Sequence, residues 1–161
     1  MTGAKVEPKV VHATCLVERN FAKPAAIVFA ALSDPDKVRR WMGASDHNEL
    51  LEFDCEVRVG GRQVLKYQMG QETPIPGAVI TNEGRFLQIV PGERIVSAST
   101  MKMGDHIFSA SLVTFELLPS ETGTDLILTH QGAFFEGADG PAMREQGWKK
   151  LMENLAGVVE E

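Results

Sequence analysis

With 161 residues, 43% of them hydrophobic and 24% charged, the chain has the size and composition of one globular domain able to bury its own core. A net charge of −6 and a pI near 5.3 exclude the basic face that nucleic acid or an anionic membrane would need. No run approaches the roughly 18 apolar residues of a membrane span, and residues 1–9 are polar without the apolar core of a secretion signal, so a cytoplasmic single domain over 1–161 with a disordered tail at 1–9 is expected.

Residues 10–21 alternate as a first strand, with Val11, Ala13, Cys15 and Val17 on one face. Pro24 opens a short helix over 25–32, and Asp34-Pro35 starts a second, with Asp34 as N-cap and Gly43 as the stop after Trp41. Residues 51–59 form the cleanest strand, Leu51, Phe53, Cys55, Val57 and Val59 facing inward and Glu52, Asp54 and Glu56 facing water. Gly60-Gly61 then reads as a two-residue hairpin turn into 62–69, which puts Gln63, Leu65, Tyr67 and Met69 on one side.

After a proline-rich loop at 70–77, strands follow over 79–90, 94–103, 107–118 and 124–131, separated by turns at Pro91-Gly92, Gly104-Asp105 and 119–123. Short connections make neighbouring strands antiparallel, a meander. Asp139-Gly140-Pro141 starts a terminal helix over 142–159, where Trp148, Leu151, Met152, Leu155 and Val159 form one apolar stripe. One strand, two short helices, six strands and a long helix make an α+β domain, its helices segregated to one face of an antiparallel sheet.

Several local stretches carry a family likeness. Phe21-Ala22-Lys23-Pro24 leads into Val28-Phe29-Ala30-Ala31-Leu32-Ser33-Asp34-Pro35 and Trp41; Val57-Arg58-Val59-Gly60-Gly61 follows. Then come Gly84-Arg85-Phe86-Leu87-Gln88-Ile89-Val90-Pro91 and Gly147-Trp148 with Leu151 and Leu155, although Gln88 stands where many relatives have Glu. In this order the set resembles the START-like, helix-grip (SRPBCC) superfamily and, within it, the Aha1-like homologues of the activator of the heat-shock chaperone ATPase, in single-domain form. The resemblance implies a curved sheet of about seven strands wrapped around the C-terminal helix. It also implies a chaperone as a candidate partner.

No constellation of reactive residues demands chemistry. His12, His47, His106 and His130 share no ligand spacing with one another or with cysteine, so neither metal nor cofactor is expected. No nucleophile elbow occurs, and Cys15 and Cys55 sit on apolar faces as unreactive thiols. Gly60-Gly61 precedes a strand rather than a helix, so it cradles no phosphate.

The aromatic residues and His130 point instead to a pocket. His130 follows Leu126 and Leu128 at period 2, and Gly147 inside the terminal helix leaves space beneath its front half. The expected function is binding of a small, mostly apolar molecule between sheet and helix. Val17, Trp41, Phe86, Leu128, Phe134, Trp148 and Met152 would line the site, and Gln63, Tyr67 and His130 would supply its polar contacts. Methionines, seven in the chain, would make that lining adaptable. A protein-interaction module using the acidic face Glu52-Asp54-Glu56, or a cyclase- or hydrolase-like enzyme with His130 as acid/base, are the alternatives. A homodimer is the base-rate expectation for such a chain.

Overall fold

The computed structural model describes residues 6–43 and 45–161. Part of the expected tail, residues 1–5, lies outside them; residues 6–10 are exposed and carry neither helix nor strand. The described elements run β1 (Val11–Phe21), α1 (Ala25–Ser33), α2 (Pro35–Met42), β2 (Asn48–Cys55), β3 (Arg62–Met69), β4 (Val79–Val90), β5 (Arg94–Met103), β6 (His106–Ser120), β7 (Gly123–Phe134) and α3 (Pro141–Val159). The strands form one antiparallel sheet in the order β1-β7-β6-β5-β4-β3-β2. No helix among these residues is long and apolar enough to cross a membrane.

The expected meander is present from β2 to β7, and β1 joins it beside β7 in continuous register from Val11↔Phe134 to Phe21↔Thr124. Strands β1 and β2 are therefore opposite edges, and α1 and α2 carry the chain between them. Cys15 and Cys55 lie on those two edges as free thiols. Burial pushes the Cys55 thiol up to about 11, while Cys15 is only half-buried.

Local signals largely hold, with instructive exceptions. The Asp34 carboxylate accepts from the Asp36 amide at 3.0 Å and caps α2. Gly43 ends that helix without a left-handed turn, at φ −91°. A side chain there would put Cβ 2.8 Å from the Arg39 carbonyl, so the glycine serves a close approach. Strand β2 starts three residues earlier than expected and stops at Cys55. An irregularity between Leu50 and Glu52 rotates Leu51 outward, and Leu51 and Val59 end up 45% and 61% exposed. Gly60-Gly61 is not a two-residue hairpin: residues 56–61 form a wider loop whose Gly60 amide donates to the Phe86 carbonyl at 2.7 Å.

Cross-strand register builds the inner face in rows. One row is unusually small: Ala13, Gly132, Ser111, Ser99 and Gly84 are successive partners across β1, β7, β6, β5 and β4. A Cβ on Gly84 would lie 2.3 Å from the Ala98 carbonyl, so the sheet folds in on itself here as only glycine permits. Further shifts between Phe86 and Gln88 and between Met101 and Lys102 add curvature. On one flank of the small row the face is large and apolar: Phe86, Ile95, Phe115, Leu117, Leu126 and Leu128 are buried.

Helix α3 presses its rear half onto that apolar flank, burying Met152, Leu155, Ala156 and Val159. Edge-on ring pairs tie the layers together: Trp41 of α2 meets Phe115 of β6, and Phe115 meets Trp148 of α3, each at 6.2 Å between centroids. The Trp41 indole donates to the Ala31 carbonyl at 2.8 Å, which links α2 to α1. Leu155 is fully buried at the centre of this contact. Leu155→Ala is expected to lower stability by about 2–5 kcal/mol in urea unfolding, the range for a leucine cavity that neighbours fill only partly.

Candidate functional site

The front half of α3 stands over the small-residue row and leaves a cavity of about 310 Å³. On the helix side its wall contains Met143, Arg144, Gly147, Trp148 and Leu151. A Cβ on Gly147 would meet nothing within 4 Å, so this helix position opens onto free space. Strands supply Leu50, Leu65, Met101 and Val113 as apolar wall and Tyr67, Asn82, Ser99, Ser111 and His130 as polar wall. A smaller hollow of about 40 Å³ adjoins it, sharing Met42, Asn82, Ser99, Val113 and Trp148. That is room for about one water among Gln63, Asn82 and Ser97. A larger depression of about 600 Å³ lies on the outer face of the sheet, walled by Ala98, Thr100, Ala110 and Ala133, but it is an open trough with no buried polar group of its own.

A charged residue anchors the front of the helix. Arg144, with a side chain only 10% exposed, grips Asp139 through Nε and Nη2 at 2.8 Å each, and Nη2 also donates to Ser109 Oγ at 2.9 Å. Its guanidinium lies over the Phe134 ring, 5.0 Å from the centroid. The two-pronged geometry offsets the cost of burying the cation. Nη1 has no hydrogen-bond partner among the described residues.

His130 is 3% exposed and lies between Trp148 and Phe134, at 5.9 and 6.3 Å between centroids. Its Nε2 meets Ser111 Oγ at 2.9 Å. Gly132 makes room for the two rings, since a Cβ there would lie 2.8 Å from His130 Cε1 and 2.9 Å from the Phe134 ring. Burial first, and the Arg144 guanidinium second, push the imidazole down to about 4, with Asp139 opposing. The ring is neutral at neutral pH. Burial also raises the Tyr67 phenol, with Arg144 acting against it. One buried amide oxygen, Asn48 Oδ1, has no partner among the described residues, and Asn48 walls the same cavity.

Of the side chains expected at a binding site, Tyr67, His130 and Trp148 wall the main cavity. Trp41, Gln63 and Phe86 wall the small adjoining hollow, where Gln63 Nε2 donates to Met42 Sδ at 3.4 Å. Phe134 walls a third hollow of about 220 Å³ beneath the start of α3, which His130 also borders. Val17, Leu128 and Met152 wall none of these; they are packed into the core. Sequence reading missed Arg144, Asp139, Asn48 and the serine row. Arg144 did carry a signal: it precedes Trp148 by four residues and so continues the buried stripe. His12, His47 and His106 stand outside the cavity. The acidic strand face is partly compensated, Glu56 pairing with Arg58 at 2.8 Å and Asp54 lying 3.6 Å from Arg62.

Two measurements test this electrostatic arrangement. Between pH about 6.5 and about 4 the unfolded chain takes up the His130 proton while the folded chain does not. Stability should therefore fall by about 3 kcal/mol as pH drops through that window and recover as it rises, with His130→Gln removing this part of the slope in urea unfolding. Asp139→Asn, which leaves the Arg144 cation without its counter-charge, should cost about 1.5–3 kcal/mol at pH 7 by the same assay.

Comparison with known proteins agrees with this architecture. No curated protein matches the chain. Among solved structures, the Mll3558 protein from Rhizobium loti is 39% identical, with a TM-score of 0.80 over 92% of this chain and 98% of that one. An uncharacterised protein from Rhizobium leguminosarum is 30% identical, with a TM-score of 0.84 over 94% and 96%. The AHSA1-like protein from Aeromonas hydrophila, at 21% identity and a TM-score of 0.65, shares the fold over 92% of both chains. The family described as Activator of Hsp90 ATPase homolog 1-like protein matches residues 22–160, and the chain belongs to that family.

Proposed function

We propose that the protein binds a small, mostly apolar molecule in the cavity between the sheet and α3. The observation that carries this reading is the cavity itself: about 310 Å³ of space whose wall joins apolar side chains such as Leu50, Leu65, Met101, Val113 and Leu151 to a set of polar ones. Polar groups in its wall support the reading. Asn48 Oδ1 is buried without a partner among the described residues, which costs about 1–3 kcal/mol, and the Tyr67 hydroxyl and Arg144 Nη1 beside it also lack protein partners among them. A ligand that satisfies them offsets that cost, while apolar burial at about 25 cal/mol per Å² drives affinity. Free thiols and an acidic surface agree with a cytoplasmic setting.

A catalytic role would rest on the Ser111–His130 hydrogen bond. Burial and Arg144 make that imidazole a weak base, and no carboxylate among the described residues hydrogen-bonds to it. A chaperone-docking role would rest on the acidic strand face, two of whose charges are compensated within the chain. Binding is the better-supported reading.

Thermal shift with medium-chain lipids, sterols and flavonoids tests it. A true ligand at 100 times its Kd adds about 2.7 kcal/mol, which for a domain of this size raises Tm by about 5–10 °C. Gly147→Leu, which adds a bulky side chain at the exposed edge of the cavity wall and improves helix propensity, should leave the unliganded protein at least as stable and weaken or abolish the shift. A shift that survives undiminished in Gly147→Leu would place the ligand elsewhere, and no shift with any compound would remove the reading.

A further inference from the structure

The geometry points to the chemical class of the ligand's polar end: an uncharged acceptor oxygen, a ketone or amide carbonyl, held by Arg144 Nη1 and the Tyr67 hydroxyl, with carboxylates disfavoured. This rests on the ligand-binding reading above and narrows it.

An arginine in a mostly apolar cavity ordinarily suggests a carboxylate ligand. Here the guanidinium is already matched. Its Nε and one Nη2 prong hold both oxygens of Asp139 at 2.8 Å, and Nη2 also reaches Ser109. A carboxylate ligand would bring a second anion to one cation in a poorly solvated place, leaving a net negative charge there. No other cation compensates it inside: His130 is neutral, and Lys150, the other basic residue in the wall, is exposed. A cationic ligand would meet the guanidinium itself.

What remains unused are two donor groups and, on the same wall, one buried acceptor, Asn48 Oδ1, which an amide's N–H can satisfy. Arg144 Nη1 carries two N–H groups without a partner among the described residues, in a side chain nine-tenths buried. The Tyr67 hydroxyl also has no partner among them and lies within the field of the same guanidinium. His130 already has Ser111 as a partner. Two donor groups and no local net charge suit a neutral oxygen with two lone pairs. The apolar wall formed by Leu50, Leu65, Met101 and Leu151 then receives the alkyl or ring portion.

The test is calorimetric titration of the purified protein at pH 7.5 with 2-undecanone, decanamide and decanoate, which is fully ionised there. The ketone and amide are expected to bind at least tenfold more tightly than decanoate. Tyr67→Phe should weaken the ketone about threefold to tenfold and leave decanoate nearly unchanged. In the wild-type complex, the carbonyl ¹³C resonance of carbonyl-labelled 2-undecanone should move downfield, as it does when hydrogen bonds polarise a ketone, and the shift should shrink in Tyr67→Phe. Decanoate binding as tightly as the ketone would overturn the neutral-acceptor inference while leaving ligand binding intact. So would an unshifted carbonyl resonance, or a Tyr67→Phe protein that stays folded by circular dichroism and binds the ketone normally. Failure of all three probes, together with no hit in the thermal-shift screen, would remove both.

Discussion

The architecture depends on how differently the two halves of α3 meet the sheet. Its rear half is seated by close apolar packing: Met152, Leu155, Ala156 and Val159 are buried against a flank built from Phe115, Leu117, Leu126 and Leu128. Its front half has no such seat. Across the cavity it faces Ser111 and Ser99, whose side chains are too short to reach it. A helix clamped at one end and standing over short side chains at the other necessarily encloses space. Dense interiors are the rule, so such a gap forgoes dispersion contacts and is a departure that calls for a role.

Something must hold the front half in place without filling the gap, and polar geometry does so. Arg144 reaches to Asp139, five residues before it, and to Ser109 on the sheet, while its flat face covers Phe134. From there a line of rings runs through His130 and Trp148 to Phe115 and Trp41. The arrangement couples the cavity wall to the packing of α2 and to the core. The same residues that support the helix therefore set the electrostatics of the space beneath it. Burial, with Arg144 adding to it, keeps His130 uncharged, and Asp139 keeps Arg144 from acting as an open anion trap.

Much of this was legible beforehand because it follows from local rules. Alternation in β1 and from β3 to β7 announced strands, and Asp34-Pro35 and Gly140-Pro141 announced helix starts through capping and the fixed φ of proline. Where expectation failed, non-local contacts had intervened. Leu51 alternates correctly with Phe53 but is turned outward by the irregularity beside it. Gly60 is drawn into a wider loop because its amide pairs with Phe86, a residue of β4. Val17, Leu128 and Met152 have the right chemistry for a pocket wall, yet they lie on the packed side of the small-residue row.

The sequence by itself determined the element order, the α+β class, the stripe on the last helix and the family likeness. Each of these is written in spacings of a few residues, which backbone geometry converts directly into faces and turns. Only the tertiary structure decided where empty space would remain and which polar groups would surround it. Ala13, Gly132, Ser111, Ser99 and Gly84 are scattered over more than a hundred positions of the chain and become one row solely through strand register. Arg144 holds a position that continues the helix stripe, yet only the curved sheet leaves its side chain 10% exposed and paired with Asp139.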